Sequence, residues 1–259
     1  MSGEQSSQAR TAWSVEDLRQ NPHQTTDKAR RVESMFASIA ARYDLNNRVH
    51  SLWRDQAWRR RAATLARVGP RDDVLDIACG TGDLTEELAR RRPRSILGMD
   101  FTEAMLRIAQ RKAKAQSRRD GRPTPTFRWG DAMAIDLPDA SMDVVTIAFG
   151  LRNVGSPETA VGEFARILRP GGRLVILEFS TPRNPVVRLL NTAYTRHIMP
   201  VTAALLSGDR SGAYRYLPRS VSTFADPAAI ALMIERGGFT VQQQIAQSLG
   251  VCTITAATR

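Results

Sequence analysis

From residue 73 onward, short apolar runs alternate with longer amphipathic stretches. Residues 73–78, 95–99, 126–129, 143–148 and 173–179 are compact runs bounded by turn residues, the pattern of buried strands. Between them, apolar positions recur at helical spacing over 83–91, 103–116 and 157–168, and "RPGG" reads as the turn before 173. Strands that alternate with helices predict βαβ units and a parallel sheet. Near the end, "GFTVQQQI" and "GVCTITAAT" lie close enough in sequence to pair antiparallel. The expectation is an α/β fold with a mostly parallel seven-stranded sheet and an antiparallel last strand.

Two regions break this rhythm. Residues 1–28 are polar and predict a flexible N-terminus, ahead of a domain over 29–259. Within 29–68 the spacing of Val32, Phe36, Ile39, Ala40 and Tyr43, then of Trp58, Leu65 and Val68, predicts a cap of two helices closed by Gly69-Pro70. Residues 180–225 form an insertion before the last two strands, apolar and helical but carrying Arg188, Arg196 and His197. Its position beyond the fifth strand admits a lid over a greasy substrate, and equally a helix pair packed on the core.

Composition narrows the function classes. No basic n-region precedes an apolar stretch at the N-terminus, so no signal peptide is read. No run approaches the ~18 apolar residues of a membrane span. Cys79 and Cys252 make no disulfide framework, and a reducing cytoplasm is the expected setting. The three histidines, His23, His50 and His197, are scattered, and no metal is expected. The net charge of +11 is carried almost wholly by arginine, with lysine only at 28, 112 and 114. An anionic membrane surface, a compositional bias toward arginine, or nucleic acid would each account for it.

The chemistry begins at "VLDIACGTGDLTEEL", a strand, a glycine turn and the start of a helix. A nucleoside-triphosphate loop needs a Lys that is absent, and the third position of a dinucleotide fingerprint, after Gly80 and Gly82, is Thr85. Asp76 ends the strand where a pyrophosphate would lie. A carboxylate there repels an anion and welcomes a cation, which suits the sulfonium and ammonium of S-adenosylmethionine. Asp100 follows the second strand, placed for both ribose hydroxyls, and Asp131 follows the third, placed for the adenine amino group with Ala132 beside it. Three acids after three successive strands specify S-adenosylmethionine, and the fold becomes a class I, Rossmann-like methyltransferase.

The substrate is read from "MDVVTIAFGLRNVGSP", which sets Arg152 and Asn153 past the fourth strand. The [DNS]-P-P-[YFW] motif of amino-group methylation is absent, neither cysteine suits a C5-cytosine mechanism, and the loop lacks acids for a metal. The segments "FASIAARYDLNNRVHS", "FGLRNV", "LRPGGRLVILEFSTP" and "YRYLPRSVSTF" together resemble the ubiquinone/menaquinone-biosynthesis C-methyltransferases from about Lys28 to the C-terminus. "FGLRN" and "YRYLPRS" are the specific motifs, whereas "DIACGTGDL" and "RPGG" are shared with many methyltransferases.

That resemblance implies methyl transfer to a ring carbon of a polyprenylated quinol: demethylmenaquinol to menaquinol, or a polyprenyl-methoxy-benzoquinol. It carries cofactor contacts onto Thr81, Asp100, Asp131 and Ala132, and onto Ala148, where the family's usual serine is replaced and only a backbone contact survives. The early motif, usually Y-D-x-M-N, reads Tyr43-Asp44-Leu45-Asn46-Asn47 here. A reduced ring is needed, because a quinone carbon is too electron-poor to attack a methyl group. The enzyme must stabilise a phenolate, hold one carbon about 3 Å from the sulfonium and exclude water. Arg152 is assigned to the phenolate, Asn153 to the same oxygen, and Tyr43 and Asp44 either to positioning and proton relay or to a helix-end pair. Tyr214 and Tyr216 wall the ring pocket or simply pack, and His197 is a base or a bystander. A prenyl tail also implies weak peripheral association with the inner face of the membrane and no nucleic-acid partner. A methyltransferase for another small phenol or amine, and a nucleic-acid-binding or nucleic-acid-methylating protein, are the competing readings.

Overall fold

The computed structural model describes residues 12–120, 124–207 and 211–259. Seven strands, β1 (Asp73–Ile77), β2 (Ser95–Asp100), β3 (Thr126–Trp129), β4 (Met142–Ala148), β5 (Leu168–Phe179), β6 (Thr240–Gln247) and β7 (Cys252–Thr258), form one sheet in the order β3-β2-β1-β4-β5-β7-β6. Neighbours from β3 to β5 are parallel, and β7 is antiparallel to both β5 and β6. The expected seven-stranded sheet is present. The order reverses between β1 and β4, which places a ligand crevice at their C-terminal ends.

Alternation along β1 sorts the two faces. Leu75 and Ile77 join a core with α6 (Pro157–Ile167) and α10 (Pro227–Arg236), while Val74 packs on the other side with α3 (Arg54–Leu65) and α4 (Asp83–Ala89). Helix starts follow one device. Ser156 and Asp226 cap α6 and α10 through the Thr159 and Ala229 N–H groups (3.2 and 2.8 Å), each followed by proline. Asn184 does the same for α7 (Pro185–Ala193), so side-chain acceptors meet orphan donors where proline loses nothing.

Three expectations are revised. The cap is three helices, α1 (Lys28–Ile39), α2 (Tyr43–Ser51) and α3, rather than two. Leu52 and Trp53 are both left-handed, and the Trp53 N–H returns to the Arg48 carbonyl (2.7 Å), which ends α2 abruptly. "RPGG" is a bulge inside β5 and not a turn before it: Met142 pairs with Leu168 and Val144 with Arg173. Gly171, at φ +77°, admits the kink, and its N–H is taken by the Arg259 carbonyl (3.0 Å). Thirdly, the expected flexible N-terminus is anchored in part: Ala12, Trp13, Pro22 and Lys28 are buried, with exposed residues between them. Trp13 is fully buried with α1 and α9 (Ala213–Thr223), because a strap ending in an indole has apolar area to remove from water. Residues 1–11 lie outside the described residues.

The 180–225 insertion holds α7, a π-helical stretch over Tyr194–Ile198, α8 (Met199–Ser207) and α9; its residues 208–210 lie outside the described residues. Among the described residues no helix is long and apolar enough to cross a membrane.

Candidate active site

Two cavities meet at the C-terminal edge of the sheet. The first lies beside the glycine turn and is lined by Gly80, Asp100, Asp131, Ala132, Ala148 and Asn153. The second is a larger groove between the cap and the insertion, lined by Arg152, Tyr214 and Tyr216 among others. Phe36, Tyr43 and Phe149 line both.

The turn is held from behind. Gly80 and Gly82 are left-handed at φ +56° and +83°, and Ala78 before them is also at positive φ. A Cβ at Gly82 would press on Ala109 (3.2 Å) and Phe127 (3.3 Å), so this glycine lets α4 close on α5 (Glu103–Asp120) and β3. A Cβ at Gly80 would meet nothing within 4 Å, since it faces open space. Asp100 accepts from the Gly80 N–H and the Thr102 N–H (both 2.8 Å). A carboxylate has about four acceptor sites, so Asp100 keeps acceptor capacity beyond these two bonds, with burial raising its pKa. Asp131 receives the Met133 N–H (2.9 Å) and keeps capacity in the same way.

Asp76, Thr81 and Gly82 are not among the residues lining the cavity. Asp76 lies on the α3/α4 face of β1, where Thr85 and Thr146 hydroxyls donate to its two oxygens (2.6 and 2.7 Å). Burial pushes its pKa up to about 6, against the pull of those hydroxyls. Direct contact with the cofactor was the expectation for Asp76; in the structure its carboxylate ties β1, α4 and β4 beneath the turn. Thr81 donates to Asp44 (2.5 Å), and Asp44 also receives Lys112 (2.7 Å), which in turn pairs with Asp83. Asp44 lines neither cavity. It latches α2 to the glycine turn and to α5, which suits the structural alternative read for it beside positioning and proton relay.

Arg152 and Asn153 face opposite sides, Arg152 the groove and Asn153 the smaller cavity, so the structure does not bring them to one oxygen. They converge instead on the Phe149 carbonyl, which receives Arg152 Nη1 (2.5 Å) and Asn153 Nδ2 (3.2 Å). Phe149 is left-handed at φ +58°, unusual for a bulky residue, and these two donors hold it there. The Arg152 guanidinium is also paired with Glu178 (2.8 Å), the side chains 5 % and 2 % exposed. Tyr216, expected as a pocket wall, is buried; its hydroxyl donates to Asn153 Oδ1 (2.9 Å) and burial pushes its pKa up to about 12. His197 is exposed and lines neither cavity, which removes it as a base.

Several groove residues escaped sequence reading. The Phe149 and Phe179 rings meet at 4.4 Å with their planes tilted by 31°, and Trp58 is edge-on to both. Arg59 lies 5.2 Å over Phe149, and Arg152 lies 5.2 Å over Phe179. Arg59 is paired with buried Asp55 (3.1 Å). Phe149 stood inside the quoted "FGLRN", and its place before two polar residues was the available signal; Trp58 and Arg59 gave none beyond helical spacing. Among the described residues seven arginines line the groove, at 19, 59, 152, 188, 196, 215 and 219, against one acid, Asp55.

Comparison with known proteins places this geometry. A model of the ubiE/COQ5 methyltransferase family matches residues 24–259. The demethylmenaquinone methyltransferase of Thermus thermophilus is 43% identical over 226 residues, covering 87% of this chain and all of that protein. The demethylmenaquinone methyltransferase of Deinococcus radiodurans is 45% identical, covering 82% and 86%. The ubiquinone/menaquinone biosynthesis C-methyltransferase of Geobacter sulfurreducens is 39% identical, covering 93% of each. Among solved structures, a SAM-dependent methyltransferase of Aquifex aeolicus shares the fold at TM-score 0.52 and 17% identity, covering 75% and 87%. One of Thermotoga maritima does so at 0.59 and 17%, covering 86% and 97%.

Proposed function

The chain belongs to the ubiE/COQ5 methyltransferase family, and from that premise we propose that it methylates a ring carbon of a polyprenylated quinol, converting demethylmenaquinol to menaquinol. The observation that carries this reading is the shared wall: a small polar cavity beside the glycine turn opens, past Phe36, Tyr43 and Phe149, into a long aromatic and arginine-lined groove. Relatives 43% and 45% identical bear the demethylmenaquinone name, which favours the naphthoquinol ring over a benzoquinol.

S-adenosylmethionine, implied by the family and the fold, fits the residues present. The space before Gly80 accepts a ligand that a side chain there would displace. Asp100 is assigned to the ribose, Asp131 and Ala132 to the adenine, and Gly80 and the Ala148 backbone to the methionine end. When bound, S-adenosylmethionine supplies an electrophilic methyl group. Asp76 holds the turn from beneath through Thr85 and Thr146. The aromatic faces of Phe149, Phe179 and Tyr43 receive a flat ring and exclude water at the junction. Arg152 and Arg59 flank that cluster and favour the ionised over the neutral ring hydroxyl, so electron density rises at the ring carbon. Because each guanidinium has its own carboxylate, the unliganded groove carries no unbalanced buried charge at this point.

The insertion also supports peripheral membrane association. Val186, Leu189, Leu190, Ile198 and Val201 are all more than half exposed on α7 and the helical stretch after it, and Arg188 and Arg196 line the groove among them. Apolar side chains beside cations suit an anionic lipid surface into which a prenyl tail extends. The test offers reduced demethylmenaquinol and a reduced polyprenyl-methoxy-benzoquinol side by side, in anionic and in neutral vesicles. Methylated naphthoquinol in excess, with the higher rate on anionic vesicles, is expected. Benzoquinol as the better substrate would reverse the ring assignment, and equal rates on both vesicles would remove the membrane role.

A further inference from the structure

Residues 12–23 precede the stretch matched by the family model, yet they complete the groove. Val15, Leu18 and Arg19 are part of its lining. The strap is pinned along its length to α9 and the residues just before it. The Trp13 N–H donates to the Ser211 carbonyl (3.0 Å), the Arg219 guanidinium donates to the Arg19 carbonyl (3.1 Å), and His23 Nε2 donates to the Ser220 carbonyl (2.8 Å). Gly212 is left-handed at φ +87°, and a Cβ there would run into the Trp13 carbonyl, so glycine is what lets the strap lie this close.

Trp13 itself has no exposed surface. Its indole is stacked on Tyr216 (centroids 4.7 Å apart, planes at 23°), with the Arg31 guanidinium 5.4 Å over the ring. What lies beyond Tyr216 gives this packing a consequence. The Tyr216 hydroxyl donates to Asn153 Oδ1 (2.9 Å), and Asn153 Nδ2 donates to the Phe149 carbonyl (3.2 Å). The carbonyl accepts only, so the Asn153 nitrogen must face it and its oxygen must face Tyr216. Phe149, left-handed and on the wall shared by the two cavities, is the last link.

We infer that Trp13 is a positioning residue for the methyl transfer, seating Tyr216 so that Asn153 holds Phe149 at the junction of the two cavities. The inference rests on the reading that transfer occurs at that junction. A tryptophan that only adds buried area would alter stability and leave the chemical step untouched. One that acts through Tyr216 shares its effect with the Tyr216 hydroxyl, and the two losses do not multiply.

The experiment is a double-mutant cycle on Trp13→Ala and Tyr216→Phe, with kcat expressed per S-adenosylmethionine-binding site and thermal melts run alongside. Each single variant is expected to lower kcat about tenfold, with the cofactor Kd within twofold of wild type. The double variant is expected to lose about tenfold again in total, not a hundredfold, and Trp13→Phe, which keeps a stacking ring, to recover to within threefold. A site-specific fluorophenylalanine at 149 gives a readout independent of turnover, its ¹⁹F resonance shifting alike in both single variants. Losses that multiply, or a lowered melting temperature with kcat per site unchanged, would overturn the inference. Should Trp13→Ala not fold, Tyr216→Phe with full kcat and an unmoved resonance overturns it alone. Failure of wild type to methylate any quinol would instead count against the functional reading.

Discussion

The two cavities are built in opposite ways. The donor cavity is made by strand ends and one continuous turn, held in shape from behind before any ligand arrives: Asp76 bonds two hydroxyls, Asp100 two backbone N–H groups, and Thr81 bonds Asp44. The groove is assembled from the strap, α2, α3, the loop after β4 and the insertion, and its arginines at 188 and 196 face it from helical stretches that also carry exposed apolar residues. A ligand common to many reactions is met by a rigid cradle on the sheet. A large lipid-like substrate is met by parts that can differ from chain to chain without disturbing that cradle.

The sharpest way to break this division is where a buried ion pair fixes the groove wall to the sheet. Glu178 in β5 holds Arg152, and Glu178→Ala leaves a buried guanidinium without its carboxylate. A loss of about 3–5 kcal/mol in urea unfolding is expected. A loss under 1 kcal/mol would show that the wall is not anchored there.

Asp76 tests the cradle from beneath. Its native pKa of about 6 stands above the ordinary carboxylate value of 3.8, so the folded protein binds this proton more tightly than the unfolded chain does. Its contribution is fully present below about pH 3.8 and is lost as pH rises through 6. Relative to wild type, Asp76→Asn is therefore expected to gain about 3 kcal/mol between pH 4 and pH 7, roughly two pKa units at 1.4 kcal/mol each. Its S-adenosylmethionine affinity at pH 7 is expected to stay within threefold. A flat difference across that range, or a large loss of affinity, would return Asp76 to direct contact with the ligand.

Asp100 is expected to behave in reverse. Asp100→Ala removes acceptors that face the cavity, and the Kd for S-adenosylmethionine should rise about thirtyfold, near 2 kcal/mol for a charged hydrogen-bond partner. Isothermal titration decides it, and an unchanged Kd would empty the cavity of its assigned ligand.

The same contrast explains what sequence could tell. Strands and a glycine turn are local, so "DIACGTGDL" and the acids at 100 and 131 declared the cradle from spacing alone. Even there, the parity of β1 was needed to see that Asp76 points to α4 rather than to the cavity. The groove depends on contacts between residues far apart in the chain. Arg152 was picked out by its motif, but its partner Glu178 lay hidden within an apolar strand, and Arg59 sat among many arginines on a helix. Trp13 fell in a polar stretch whose composition predicted looseness, because one indole contributes little to an average and much to a core. Asp44 looked like chemistry beside Tyr43, whereas its partner Lys112 is visible only once α5 has packed against the cap.

The most direct test is transfer itself. The purified protein is supplied with S-adenosylmethionine carrying a ¹³C-labelled methyl group and with demethylmenaquinone, with and without a reductant, and the product is examined by mass spectrometry and carbon NMR. A labelled methyl on the ring carbon, formed only under reduction, is the expected result. Label on an oxygen, or no transfer under either condition while S-adenosylmethionine still binds, would contradict quinol C-methylation.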